Sequence, residues 1–388
     1  MIGDSDTLFP LTTTLSPGER ETRGPVRGLN ARQRTSRLSM KAAVLYGKED
    51  MRIEQVASRP LQPGEVRIQI EAALTCGTDL KVFKRGYHAK MIVPPAVFGH
   101  ELAGTISEVR DAPCETQNQP WQAGDRVVAA NSAPCGECFY CRNRQENLCD
   151  NLLFLNGAYA ESIVVPARIV EKNLLRLKPD TQFADAALVE PLACAVLGVE
   201  DTQLRAEQHV LVIGAGPIGL MFVALARHLG CEVTVAGRHQ TRLEAAKRLG
   251  ARRVIDIGQG EDMVEVVRQG AAPGRFDSVI EAVGRSEVWE AAVQLVRKGG
   301  TVNFFGGCPA GTKVSFDTSL LHYSNLKLLA SFHHTPRTIR KALGLIEAGV
   351  IRARDFVDGQ CLLDELPAVF RSMAGGNQAV KTLVQVRG

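Results

Sequence analysis

Aromatic residues are scarce in this chain, at 5% with two tryptophans, and an excess of either charge is missing. Forty-six Lys and Arg against 42 Asp and Glu leave a formal net charge of +4 over 388 residues. That balance provides no basic field of the kind that selects nucleic acid or an anionic membrane, although it is compatible with a small anionic ligand. Long apolar runs are lacking too. The uncharged stretch from Val210 to Ala226 is interrupted by Gly214, Gly216, Pro217 and Gly219, which disfavours a membrane-spanning helix. No secretory h-region opens the chain, and the expected compartment is cytoplasmic. With 45% hydrophobic and 23% charged residues the composition is that of a soluble globular protein. The length exceeds the roughly 250–300 residues at which one core stops growing, so two domains are expected. Cysteine is present in some number: ten residues, four of them crowded between Cys135 and Cys149. In a large chain without a secretory signal, such crowding points to a metal rather than a disulfide framework.

Residues 1–39 are rich in Thr, Ser, Gly and Arg, contain no Lys and show no sustained periodicity, and read as a disordered extension. Asp4, Asp6, Glu19 and Glu21 argue against a targeting peptide there, and the fold is expected to start at Met40. From Met40 onward, short strands alternate with turns: KAAVLY, Val66 to Ile70, ELAGTISEV, DRVVAA and AESIVVP. After Ala184, apolar strands alternate with helical stretches, through VLVIG, Leu220–Leu229, EVTVAG, Arg242–Leu249, RVID, FDSVIEAVG, Val288–Val296 and GTVNFFGG. That alternation predicts a doubly wound parallel sheet, making the chain α/β. LKLLASF, the helix PRTIRKALGLIEAG and a final VKTLVQV follow, the last of these placed to rejoin the first half.

Gly214, Ala215, Gly216, Pro217, Ile218 and Gly219 follow the strand VLVI and open a helix, the context a dinucleotide-binding glycine turn requires. Gly214 permits the tight turn, Gly216 lets backbone approach a pyrophosphate, and Gly219 allows close helix–strand packing. The helix N-terminus presents N–H groups to the anion. At the end of the next strand, Val235, Ala236, Gly237, Arg238 and His239 provide no carboxylate for the ribose hydroxyls of NAD. Gly237 makes room there, and Arg238, with His239 or Arg242, can pair with a 2′-phosphate, favouring NADP over NAD; the alternative is that Arg238 stacks on adenine.

Cys135, Cys138, Cys141 and Cys149 form C-x2-C-x2-C-x7-C. Four thiolates can close a tetrahedral, structural zinc site; an iron–sulfur cluster is the alternative. A second set is dispersed: Cys76 in CGTD, His100 and Glu101 in GHE, and Glu190 in EPLAC. Singly, the cysteine reads as packing and Glu190 beside Pro191 as a helix cap. Together they supply the donors of a catalytic zinc with one open position, where an alkoxide is stabilised for hydride transfer. Asp79 is placed to orient His100.

In their order along the chain, CGTD, GHE, AGDRV, the four-cysteine lobe, EPL and GAGPIG resemble the zinc-dependent medium-chain dehydrogenase/reductase family, from about Met40 to Gly388. The resemblance implies a GroES-like, mostly β catalytic domain over 40–190, a Rossmann domain over 191–325 and a return to the catalytic domain over 326–388, with substrate in the cleft between them. It implies Cys76 and His100 as catalytic zinc ligands, and Glu190 where the polyol dehydrogenase branch has Glu and classical alcohol dehydrogenases have Cys. Glu101 matches a glutamate that can bind the metal or approach it from behind, and Thr78 the hydroxyl that relays the substrate proton. Where many relatives have a histidine as the outer relay member, this chain has Lys81, whose ammonium cannot accept a proton unless its pKa is depressed. Cys114, Cys194, Cys231, Cys308 and Cys361 read as packing or surface residues, and His333 and His334 as facing the cleft or a subunit interface. The expected activity is interconversion of a secondary alcohol and a ketone with NAD(P), with two zinc ions per chain, in a homodimer or homotetramer. The competing readings are an amino-alcohol oxidoreductase resembling threonine dehydrogenase and a non-catalytic NADP-binding sensor.

Overall fold

In the computed structural model, residues 39–87, 91–112, 119–258, 260–271, 275–376 and 379–387 are described. The extension expected over 1–39, apart from its last residue, and Cys114 lie outside the described residues. Ser39 already belongs to the first strand, Ser39–Gly47, which forms an antiparallel hairpin with Asp50–Ala57.

The central strand of the β-rich half is Glu65–Leu74, where Ile68, Ile70 and Ala72 are buried while Gln69 and Glu71 face solvent. This period of two is what a sheet with one covered face demands. It pairs antiparallel with Leu102–Arg110 and with Ser162–Val165. The same sheet continues through Arg126–Ala129 to Leu174–Arg176 on one side. On the other side, Lys381–Gln385 lies antiparallel to Glu65–Leu74, Leu383 opposite Leu74, and pairs in parallel with Val357–Leu362. The closing VKTLVQV segment thus completes the sheet of the first half.

The second sheet is wholly parallel, in the order Arg253–Asp256, Glu232–Gly237, His209–Ile213, Phe276–Glu281, Val296–Phe304, Lys327–Ala330. Val210, Leu211, Val212 and Ile213 are buried, as a strand covered by helices on both faces must be. The order reverses between His209–Ile213 and Phe276–Glu281, which is where a doubly wound sheet opens a ligand crevice. Lys327–Ala330 is the sixth strand of this sheet, so the sheet extends past the boundary expected at residue 325.

One long helix, Val189–Thr202, was not evident in the hydrophobic pattern, because nearly every position from Val189 to Gly198 is buried and no polar stripe marks its period. It packs between Pro336–Glu347 and Pro217–His228. Among the described residues no helix is long and apolar enough to cross a membrane.

Candidate active site and dinucleotide cavity

Cys76 stands at the junction of Glu65–Leu74 and the helix Gly77–Arg85, where its sulfur caps the helix by accepting the Thr78 N–H at 3.4 Å. His100 lies just before the strand Leu102–Arg110, fully buried, with Nδ1 2.8 Å from Asp79 Oδ1. The other Asp79 oxygen accepts a hydrogen bond of 2.6 Å from the Tyr159 hydroxyl, whose oxygen also lies 3.1 Å from the Leu74 carbonyl. Burial opposes a charged ring at His100, but the Asp79 carboxylate and the Cys76 sulfur outweigh it and hold the imidazole well above its ordinary pKa. Tyr159 was not foreseen; its trace in the sequence is the glycine before His100. Gly99 has φ of +90°, and a Cβ there would lie 2.6 Å from the Tyr159 ring.

Donor atoms of Cys76, His100 and Glu101 lie within 4.8 Å of one another. Glu101 is also engaged from behind by Lys381, whose ammonium donates to its Oε1 at 2.7 Å and to the Thr75 carbonyl at 3.0 Å, all groups being buried. Burial raises the Glu101 pKa, against the pull of Lys381, and that of Lys381 is raised because the carboxylate outweighs its own desolvation. The lysine's only signal in the sequence is a single charge inside the apolar closing strand.

Glu190 occupies the first turn of Val189–Thr202, and Cys194 follows one turn later, with its sulfur 3.9 Å from Glu190 Oε1. Desolvation pushes the Glu190 carboxyl up to about 7, with His100 pulling the other way. A ring nitrogen of His333 joins Glu190 and Cys194 within 4.8 Å. Cys194 is buried, as a packing residue is, and it also borders a cluster of polar donors. His333 Nε2 is 2.6 Å from Ser132 Oγ, and His334 Nε2 is 2.9 Å from Asn131 Oδ1. Both histidines thus face the interior beside Glu190 and the base of the four-cysteine lobe. Thr78 and Lys81 are exposed on the helix Gly77–Arg85.

In the lobe, the four sulfurs of Cys135, Cys138, Cys141 and Cys149 are mutually within 4.8 Å. The separations Cys138–Cys141, 3.5 Å, and Cys135–Cys141, 3.9 Å, exclude a disulfide. They bracket the roughly 3.8 Å edge of a tetrahedron with metal–sulfur bonds of about 2.3 Å. N–H groups of Glu137 and Cys138 point at the Cys135 sulfur and hold its pKa at about 6, while burial raises that of Cys141. The donor set fits zinc.

A cavity of about 600 Å³ opens at the reversal of the parallel sheet, lined among others by Gly214, Gly216, Gly237, Arg238, His239 and Arg242. Gly214 has φ of +111°, and a Cβ on Gly219 would lie 1.8 Å from the Gly214 carbonyl oxygen, so both must lack a side chain. At Gly216 the space is open. Pro217 starts the helix and Ile218 packs partly buried against the core; neither they nor Gly219 line the cavity. Gly237 does not make room for ligand in the sense expected. Its missing Cβ would lie 2.9 Å from Ala215 Cβ and 3.1 Å from Ala215 N, so the glycine turn itself fills that space. Arg242 donates to the Ala379 carbonyl at 2.9 Å, whereas Arg238 is exposed with no hydrogen-bond or ion-pair partner among the described residues.

Residues 62–175 match the alcohol dehydrogenase GroES-like domain, and residues 217–348 the zinc-binding dehydrogenase family. D-altritol 5-dehydrogenase of Agrobacterium fabrum is 33% identical over 304 residues, which are 76% of this chain and 84% of that protein. Sorbitol dehydrogenase of Bacillus subtilis is 27% identical, covering 89% and 97%. Among solved structures, a protein of Sinorhizobium meliloti described as a zinc-binding dehydrogenase, bound to NADP, is 30% identical with a TM-score of 0.81, covering 90% of this chain and 99% of that one. The likeness thus covers most of the chain, and the chain belongs to the zinc-dependent medium-chain alcohol and polyol dehydrogenase family, as an oxidoreductase of secondary alcohols.

Proposed function

We propose that this enzyme oxidises a secondary hydroxyl of a polyol or sugar-like alcohol to the ketone, and reverses that reaction, with NADP preferred over NAD. The observation that carries the reading is the meeting of a thiol, a carboxylate-backed imidazole and a buried carboxylate, Cys76, His100 and Glu101, with the buried Glu190 near enough to feel the His100 charge, in a chain that also carries a dinucleotide cavity. Cys76, His100 and Glu190 would hold the catalytic zinc, with Glu101 behind it. Zinc bound there would supply a Lewis acid to the substrate oxygen while hydride passes to the nicotinamide. Asp79 and Tyr159 fix the imidazole, so that His100 offers Nε2 in one orientation. The Thr78 hydroxyl accepts the substrate proton and passes it outward; its exposure gives water, rather than Lys81, the outer place in the relay. A screen of polyols, with threonine as a separate arm, tests the reading by nicotinamide absorbance. Turnover of threonine alone would contradict it.

The NADP preference rests on Arg238, unpaired at a strand end without a carboxylate, and on the NADP held by the Sinorhizobium relative. A charge-assisted hydrogen bond contributes about 1.5–3 kcal/mol, so Arg238→Leu should raise KM for NADP by about tenfold to a hundredfold and leave KM for NAD nearly unchanged. Equal weakening of both cofactors would make Arg238 an adenine-stacking residue. A carboxylate at Gly237 is a poor route to the same switch, because its Cβ would displace Ala215.

The four-cysteine lobe would hold the second, structural zinc. Cys138→Ser should lower the zinc content by one per chain and lower the melting temperature, with the remaining zinc still bound. Unchanged zinc content in that variant would contradict the assignment. The homodimer or homotetramer stays part of this proposal, to be read from sedimentation equilibrium.

A further inference from the structure

Glu190, assigned above to the catalytic zinc, has two further donors beside it that the proposed reaction does not use, Cys194 and His333. Glu190 and Cys194, four residues apart, project from one face of the helix Val189–Thr202, and His333 reaches them from the segment after the sixth strand of the parallel sheet. Glu190 is only 7% exposed, yet its nearest polar neighbours are the Cys194 sulfur at 3.9 Å and His334 Nε2 at 4.0 Å. No N–H donor stands within hydrogen-bond distance of it among the described residues. A desolvated carboxylate without such partners is costly unless a cation binds it. His333 has φ of +65°, a left-handed conformation uncommon outside glycine, and Ser132 Oγ at 2.6 Å fixes its ring. Strain of this kind persists where the surroundings over-determine a side chain's position.

We propose that Glu190, Cys194 and His333 form a second zinc seat adjoining the one at Cys76 and His100. The donor chemistry is thiolate, imidazole and carboxylate, the set zinc takes at distances of about 2.0–2.3 Å. Their separation of at most 4.8 Å leaves a small inward movement to close on an ion. A carboxylate has two oxygens, so Glu190 can serve both seats, and two ions so bridged would form a close pair. Thiolate and imidazole select zinc or cobalt over magnesium or calcium.

The test uses the full chain with zinc retained in the four-cysteine lobe and the remaining metal replaced by Co²⁺. Wild-type protein should take up two equivalents, and Cys194→Ser one, with loss of part of the thiolate-to-cobalt charge-transfer band. The double variant Cys76→Ser/His100→Ala should still bind one equivalent through a thiolate, and adding Cys194→Ser should abolish it. Identical cobalt uptake and spectra for wild type and Cys194→Ser would overturn the second seat, whether or not the double variant folds. Failure of wild-type protein to bind any cobalt outside the lobe would overturn the Cys76–His100 seat as well, which separates the two readings.

Discussion

Replacing His100 by alanine is expected to lower kcat by about a thousandfold or more, the loss of several kcal/mol of alkoxide stabilisation. The chain should remain folded, because the aromatic cluster of Phe98, Tyr159 and Phe370 in that half packs without a ring contact from His100. KM for the dinucleotide should hardly change, since the cavity at the glycine turn contains neither His100 nor its partners. Asp79→Asn separates holding the ring from ligating a metal. It keeps the shape beside Nδ1 but removes the charge, and partners of this kind are worth about ten- to a hundredfold in metal affinity or activity. The expected order of activity is wild type, then Asp79→Asn, then His100→Ala. Stopped-flow traces of hydride transfer check it, and an Asp79→Asn variant as inert as His100→Ala would show that the carboxylate does more than orient.

Lys381→Met should produce the largest loss of stability of any single substitution considered. Lys381 and Glu101 are both almost fully buried, with the ammonium also bound to the Thr75 carbonyl. Removing one partner of such a pair leaves an uncompensated buried charge and costs about 3–5 kcal/mol. The loss should appear as a lower denaturant midpoint at unchanged m-value. Glu101→Gln combined with Lys381→Met removes both charges, and stability should recover in part, since replacing an entire buried pair is often close to neutral. If the double variant is no better than the single one, the pair contributes through packing of the lysine stem rather than through charge.

What could be read from the chain alone is unequal, and the reasons are physical. The glycine turn is legible because strand, turn and helix are contiguous, and Gly214 and Gly219 answer local steric demands, a Cβ on Gly219 lying 1.8 Å from the Gly214 carbonyl oxygen. The four-cysteine lobe is legible because its donors lie within fifteen residues of chain. Cys76 and His100 became legible only as part of an ordered series of motifs, since the fold joins them across 24 residues of chain. Lys381 showed only as a charge in an apolar strand and Tyr159 only through the glycine before His100, while nothing local linked Cys194 and His333 to Glu190. Their neighbours come from distant strands and helices, and Val189–Thr202 is too thoroughly buried to show a helical period. Gly237 shows another limit: it lines the cavity, but only the structure reveals that Ala215 fills the space its missing side chain was expected to leave for a ligand.

The most direct test of the central claim is to measure NADP-dependent oxidation of a polyol panel by purified enzyme before and after chelation of its metal, with zinc content determined on the same samples. Secondary polyol oxidation that disappears on chelation, returns on adding zinc and is absent in Cys76→Ser is the predicted result. Oxidation of polyols at an undiminished rate by metal-free enzyme, or by Cys76→Ser, would contradict it.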